Sequence, residues 1–347
     1  MNPSANRGRF FPGLHLLRAC AALAVLVQHS GFYAAKNSGV AFTTILKIDF
    51  GRLGVLAFFC LSGFVIALQR RLPAAEFALR RVVRIYPGWW ASWVISAWLV
   101  SLVHEPATFT LWTALLLPAG NLPATWVMIW SLLFEVFFYA LAGALFALRL
   151  RDDSLSIVML AWILLIHVAE PYLAGLPYPA LPGIRMPISQ YNQLFALGVL
   201  CALNLHRLQG IASTQLLAVA IAAWIVMQLC PEIPNAKGVL ACGVSICAVL
   251  LAMTRIDSIW PLAQWLGDWS YGLFLMHYSV VYIVGVVLEP HHPSTGMLWG
   301  ILFAAGLVAG LAFGFADHWL YRRTSAAAIE AWRGFRRRYA AAGQIAD

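Results

Sequence analysis

The run from Leu16 to His29 sets one arginine, Arg18, and one histidine, His29, with ten residues between them, in a stretch otherwise almost wholly apolar. At about 100° per residue, eleven helical steps return to within about 20° of the starting direction. The two side chains therefore share a face about 16 Å apart along the axis. Ionisable groups in a membrane-spanning helix need a partner, a cavity or a chemical task. A structural arginine capping a neighbouring helix and a histidine satisfied by a buried carbonyl would account for them equally well on this helix alone.

A second group lies in Trp130-Ser131-Leu132-Leu133-Phe134-Glu135-Val136-Phe137-Phe138-Tyr139. Ser131 and Glu135 are four residues apart and share a face. A carboxylate at this depth needs a partner, for which Arg18 and His29 are the candidates, since arginine neutralises a buried carboxylate and histidine can donate its second N–H to one. A third group is basic: Arg80, Arg81 and Arg84 are spaced to form one guanidinium cluster on a short amphipathic helix over 76–86, before Pro87. Such a cluster suits a polyanion. His277, in Gly267-Asp268-Trp269-Ser270-Tyr271-Gly272-Leu273-Phe274-Leu275-Met276-His277, falls near mid-membrane and reads either as a packing histidine or as a second functional one. Asp268 and Ser270 suit the N-terminal cap and first turn of that helix.

The elements that must carry these residues follow from composition. Of 347 residues, 62% are hydrophobic and 11% charged, against about a quarter charged in soluble domains. The apolar runs are continuous for about 20 residues, which excludes the alternating pattern of a membrane β-barrel. The chain reads as all-α and polytopic. About ten spans are expected, at 11–34, 53–69, 88–103, 126–148, 154–169, 190–205, 214–230, 238–254, 269–288 and 297–320. Residues 111–118 are too short to span and read as re-entrant or interfacial. The Ser62-Gly63 pair in the second span is a site for close approach of another helix.

The net charge of +9 reflects topology rather than nucleic-acid binding. Seventeen of the 23 lysines and arginines fall on one set of alternate connections and the two ends, so both termini are expected in the cytoplasm. Arg7 and Arg9 precede the first span, which is kept as a span and not a cleaved leader because Arg18 interrupts it. The stretch 323–347 reads as a basic amphipathic tail on the anionic inner leaflet, following a membrane domain over 1–322. The six cysteines show no C-x-x-C spacing and read as packing residues, and no metal site is expected, the His291-His292 pair included. No nucleotide-binding loop or hydrolase elbow occurs.

Five motifs together resemble the integral-membrane acyltransferase 3 family. They are Arg18-x10-His29, Phe58-Phe59-x-Leu61-Ser62-Gly63-Phe64, Arg81-x-x-Arg84 before Ile85-Tyr86-Pro87, Trp130-Ser131-Leu132-x-x-Glu135-x-x-Phe138-Tyr139, and Gly267-x-x-Ser270-Tyr271-Gly272-Leu273-Phe274-Leu275-x-His277. The resemblance spans about 13–322. It implies transfer of an acyl group, usually acetyl, from cytoplasmic acyl-CoA to a hydroxyl of a glycan or similar acceptor at the outer face of a bacterial cytoplasmic membrane.

Under that resemblance Arg80, Arg81 and Arg84 are expected to hold the phosphates of acetyl-CoA. His29 acts as general base, its ordinary pKa of about 6.5 suiting proton removal near neutrality. Glu135 orients the imidazole or holds the acceptor, and Arg18 stabilises oxyanion charge or positions the donor. Ser131, Tyr139 and His277 are expected to face substrate. Some relatives carry an additional esterase-like domain, for which the basic tail leaves no room. A transporter or flippase of lipid-linked saccharide, with Arg18, His29 and Glu135 as a proton relay, is the alternative.

Overall fold

The computed structural model describes residues 10–103, 110–117, 129–172, 183–229 and 235–343. These are mostly helical, with no strand among them. The helices are α1 (Pro12–Asn37), α2 (Phe50–Leu68), α3 (Ala74–Ser101), α4 (Leu111–Ala114), α5 (Ile129–Ala147), α6 (Asp152–Ala169), α7 (Asn192–Leu203), α8 (Leu205–Leu208), α9 (Ser213–Leu229), α10 (Ala236–Met253), α11 (Pro261–Leu288) and α12 (Thr295–Gly343). Local chemistry sets several starts. Pro12 and Pro261 open α1 and α11, where the missing N–H leaves no bond unmade. Asp49 caps α2 by accepting from the Arg52 amide at 2.8 Å, and Asn235 caps α10 by accepting from Gly238 at 2.6 Å.

Each expected span overlaps a helix. Seven of these, α1, α2, α5, α6, α10, α11 and α12, are long and apolar enough to cross a membrane, while α7 and α9 are apolar but shorter. Large apolar side chains stand exposed on α6 (Ile157, Leu164, Val168) and α9 (Leu217, Ile225, Leu229). Water would penalise such faces and acyl chains would not. The chain is therefore a polytopic helical membrane protein.

Three boundaries differ from the sequence reading. The amphipathic piece at 76–86 and the third span are one helix, α3, which runs through Pro87. Proline's fixed φ is helical, and a packed bundle can hold a helix across it; two residues before Pro87, the Tyr271 hydroxyl donates to the Ile85 carbonyl at 2.9 Å and ties α11 to α3. The ninth span begins at Pro261, so Asp268 and Ser270 lie inside α11 and are no cap. Ser270 donates to Gly267 O at 2.7 Å, and Asp268 pairs with His15 Nδ1 at 3.1 Å. The division at 322/323 falls within the 49 residues of α12.

The first part of 111–118 is the short helix α4, held on α3. Tyr86, Trp89 and Trp90 donate to the carbonyls of Leu115, Thr113 and Ala114 at 2.9, 3.2 and 2.9 Å. Residue 118 lies outside the described residues, as does Cys230. The other five cysteines are free thiols, and the sulfurs of Cys60 and Cys247 meet at 3.4 Å between α2 and α10.

α2 crosses α7 at backbone contact, and the Ser62-Gly63 pair is where it happens. A Cβ built on Gly63 would run into the Phe195 carbonyl, and one on Gly198 into that of Cys60. Beside this crossing Phe138 of α5 stacks on Phe195 at 4.3 Å, so α2, α5 and α7 are locked in one register. Gly63→Val is expected to destabilise the protein by about 3 kcal/mol, because two backbones must part. Gly300→Val, on open surface, should stay within about 0.5 kcal/mol of wild type. Thermal midpoints of the detergent-purified variants measure both.

Candidate active site

A cavity of about 570 Å³ opens among α1, α2, α3, α5, α11 and α12. Its walls bring together Arg18, Arg80, Arg81, Arg84, Ser131, Glu135 and Tyr139, seven of the side chains singled out by type and spacing. Between them lie apolar stretches of α2, including Val55, Phe58, Phe59 and Val65. A polar rim and an apolar barrel suit a ligand with a charged head and a thin, weakly polar arm.

The three α3 arginines have different partners. Arg80 donates to Glu76 at 2.6 Å, and Arg333, from the far part of α12, shares the same oxygen at 3.3 Å. The Arg80 hydrogen bond holds the Glu76 carboxyl below the usual carboxylate range. Arg84 is neutralised: Asp317 of α12, 6% exposed, accepts from it at 2.9 Å, and the rings of Tyr271 and Tyr321 lie 4.6 and 5.0 Å from the guanidinium. Arg81 has no carboxylate within ion-pair distance among the described residues. It donates to the neutral amide oxygen of Gln69 and stacks over Phe77 and Tyr139 at 5.2 and 5.1 Å. Its Nε is buried with no hydrogen-bond partner. Of the three, Arg81 is the one with charge and a donor to spare.

Glu135 is held by its own helix and by α2. Tyr139, one turn on, donates to Oε1 at 2.5 Å, and the Ser62 hydroxyl lies 2.9 and 2.7 Å from the two carboxylate oxygens. Neither Arg18 nor His29 hydrogen-bonds to it. The expectation that one of them is its direct partner is corrected: Ser62 and Tyr139 reach the carboxylate first because both stand on its own face of the α2–α5 contact. Ser131 lines the same cavity one turn before Glu135, buried at 6% exposure.

His29 does not line the cavity; it pairs with the other singled-out histidine. Its Nδ1 is 3.0 Å from Nε2 of His277, their rings 5.2 Å apart and close to parallel. Tyr278 meets His29 edge-on at 5.4 Å. On the cavity side, the rings of Phe58 and Phe274 lie 6.1 Å apart and both line the cavity, and Phe274 is 6.0 Å from His277. The Phe274 ring thus belongs to the cavity wall and neighbours the histidine pair.

Asp317, Gln69 and Tyr321 were not singled out from sequence. For Asp317 a signal existed, since it is a carboxylate inside the last apolar run. Gln69 and Tyr321 have no such mark, because a residue at the end of a span is ordinarily polar or aromatic.

Comparison with known proteins shows the family. A family model described as an acyltransferase domain matches residues 11–317. "Acyltransferase MdmB" of Streptomyces mycarofaciens is 27% identical over 86% of this chain and 88% of its own length. "Nodulation protein 10" of Rhizobium leguminosarum bv. viciae is 24% identical over 77% and 82%. "Peptidoglycan O-acetyltransferase OatA" of Listeria monocytogenes is 23% identical over 89% of this chain but 55% of its own. No solved structure matches. With the family model covering residues 11–317, both histidines and all of the cavity lining but Tyr321 among them, this chain belongs to the acyltransferase 3 family of membrane acyltransferases.

Proposed function

We propose that the protein is an O-acyltransferase of a bacterial cytoplasmic membrane, with both termini in the cytoplasm. It carries an acyl group, acetyl in the first instance, from acyl-CoA in the cavity to a hydroxyl of a saccharide at the opposite face. The observation that carries this reading is the cavity itself, in which Arg81, its Nε buried with no partner among the described residues, meets an apolar wall whose Phe274 ring neighbours the histidine pair. Phosphates of CoA suit Arg81 and Arg80, because guanidinium groups bind them in a planar, two-pronged fashion. The related peptidoglycan O-acetyltransferase supports acetyl as the acyl group and a glycan as the acceptor.

In the reaction, the acceptor hydroxyl gives its proton to His29 as its oxygen attacks the thioester carbonyl carbon. The carbon–sulfur bond breaks, the acyl group stays on the acceptor oxygen, and the departing thiolate takes the proton back from the imidazolium. Arg18 stands about 16 Å along α1 from His29, which suits positioning of the donor rather than contact with the oxyanion. Glu135, engaged with Ser62 and Tyr139, does not orient the imidazole; it remains to hold polar groups of a substrate in the cavity, together with Ser131 and Tyr139.

The test is transfer of label from acetyl-CoA enclosed with the enzyme in proteoliposomes to saccharides supplied across the bilayer. Labelled O-acyl ester on an acceptor is the expected result. Movement of a lipid-linked saccharide across the bilayer without acyl-CoA would overturn the reading.

A further inference from the structure

His277 makes two contacts whose donors are fixed by elementary chemistry. Its Nδ1 lies 2.9 Å from the carbonyl oxygen of Leu273, one turn earlier on α11. A carbonyl oxygen only accepts, so this nitrogen carries the proton. The ring is fully buried, and no carboxylate lies within ion-pair distance among the described residues. A charged ring there would stand unpaired in an apolar surround, so the imidazole is neutral and its Nε2 is bare. The 3.0 Å contact between that Nε2 and Nδ1 of His29 then has one possible donor, His29. With its single proton on Nδ1, His29 keeps a lone pair on Nε2, which has no hydrogen-bond partner among the described residues.

From this relay, Leu273 carbonyl to His277 to His29, we infer that His277 is a positioning residue that fixes His29 in the tautomer able to act as a base through Nε2. The arrangement matches the general logic in which a histidine's working nitrogen is set by the hydrogen bond its other nitrogen makes. Here a neutral imidazole takes the place often held by a carboxylate. The near-parallel stack on His277 and the edge contact with Tyr278 hold the ring plane, and the relay chooses the nitrogen. His277 touches no substrate in this role, and its own protons do not move. The inference deepens the acyl-transfer reading and rests on it for its consequence, though the tautomer itself does not.

Two measurements test it. In wild-type protein labelled with 15N-histidine, with the His29→Gln spectrum for assignment, His29 is expected to show a protonated Nδ1 and a bare Nε2. The reverse pattern would overturn the inference whether or not transfer is detected, so a failure of the tautomer is distinguishable from a failure of the reaction class. The second measurement compares His277→Leu with His277→Gln, whose amide oxygen sits about where Nε2 does and can accept from His29. Loss of the acceptor is expected to lower kcat about 100-fold, in the range for partners that orient a catalytic or metal-bound histidine, with KM for acetyl-CoA within about twofold. The glutamine is expected to restore kcat to within about tenfold of wild type. Both variants near wild-type activity would reduce the pair to packing. A folded glutamine variant as inactive as the leucine one would give His277 a chemical role of its own. Either result overturns the proposal.

Discussion

His29→Ala is expected to lower acyl transfer by about three orders of magnitude while acetyl-CoA affinity stays within about twofold. The size follows from what a positioned general base contributes, about 10²–10⁴-fold. The separation of the two effects follows from geometry, since His29 does not line the cavity. Turnover in proteoliposomes and donor binding in detergent measure the two quantities on the same preparation. A loss of donor affinity equal to the loss of turnover would place His29 in the donor site and contradict the arrangement described here.

Asp317→Ala is expected to destabilise the protein by about 3–5 kcal/mol, the scale for removing one partner of a buried ion pair. Arg84 would be left charged between the rings of Tyr271 and Tyr321, with its side chain 16% exposed. Gly88 faces Asp317 so closely that the carboxylate fills the space a Cβ would need, which leaves a void when it is removed. The double variant Arg84→Met, Asp317→Leu should recover most of the loss, because replacing both charges with apolar groups removes the desolvation penalty as well as the attraction. Thermal midpoints in detergent decide it. An Asp317→Ala protein as stable as wild type would mean that the pair is open to water or another anion.

The sequence made legible those features that depend on one helix at a time. Arg18 and His29 stand out because ionisable residues in apolar runs need a reason, and the helical period places Ser131 and Glu135 on one face without reference to any other element. The all-helical, polytopic character was legible from run length alone, and seven of the helices at the ten expected spans are long and apolar enough to cross a membrane. What was hidden depends on how distant helices register. His29 meets His277, 248 positions on, and Arg84 meets Asp317 across 233, and neither spacing has a local signature. Glu135 was assigned the wrong neighbours for the same reason: Arg18 has the complementary charge, but Ser62 is the group that the Gly63 crossing brings within reach. The continuity of α3 was missed because proline is read from sequence as a break, whereas its fixed φ is helical and a packed bundle holds the helix across it. The three arginines looked alike as a cluster; only their partners, a shared carboxylate for Arg80, a private one for Arg84 and an amide for Arg81, tell them apart.

That difference supplies the most direct test of the account. Calorimetric titration of purified protein with acetyl-CoA should show saturable binding, weakened about tenfold or more in Arg81→Ala, the loss expected when a charged hydrogen bond to phosphate worth about 1.5–3 kcal/mol is removed. The same titration with 3′-dephospho-CoA should separate the phosphates Arg81 serves. Folded wild-type protein that takes up no heat from acetyl-CoA, or an Arg81→Ala protein that binds it as tightly as wild type, would contradict the assignment of the cavity to the acyl donor.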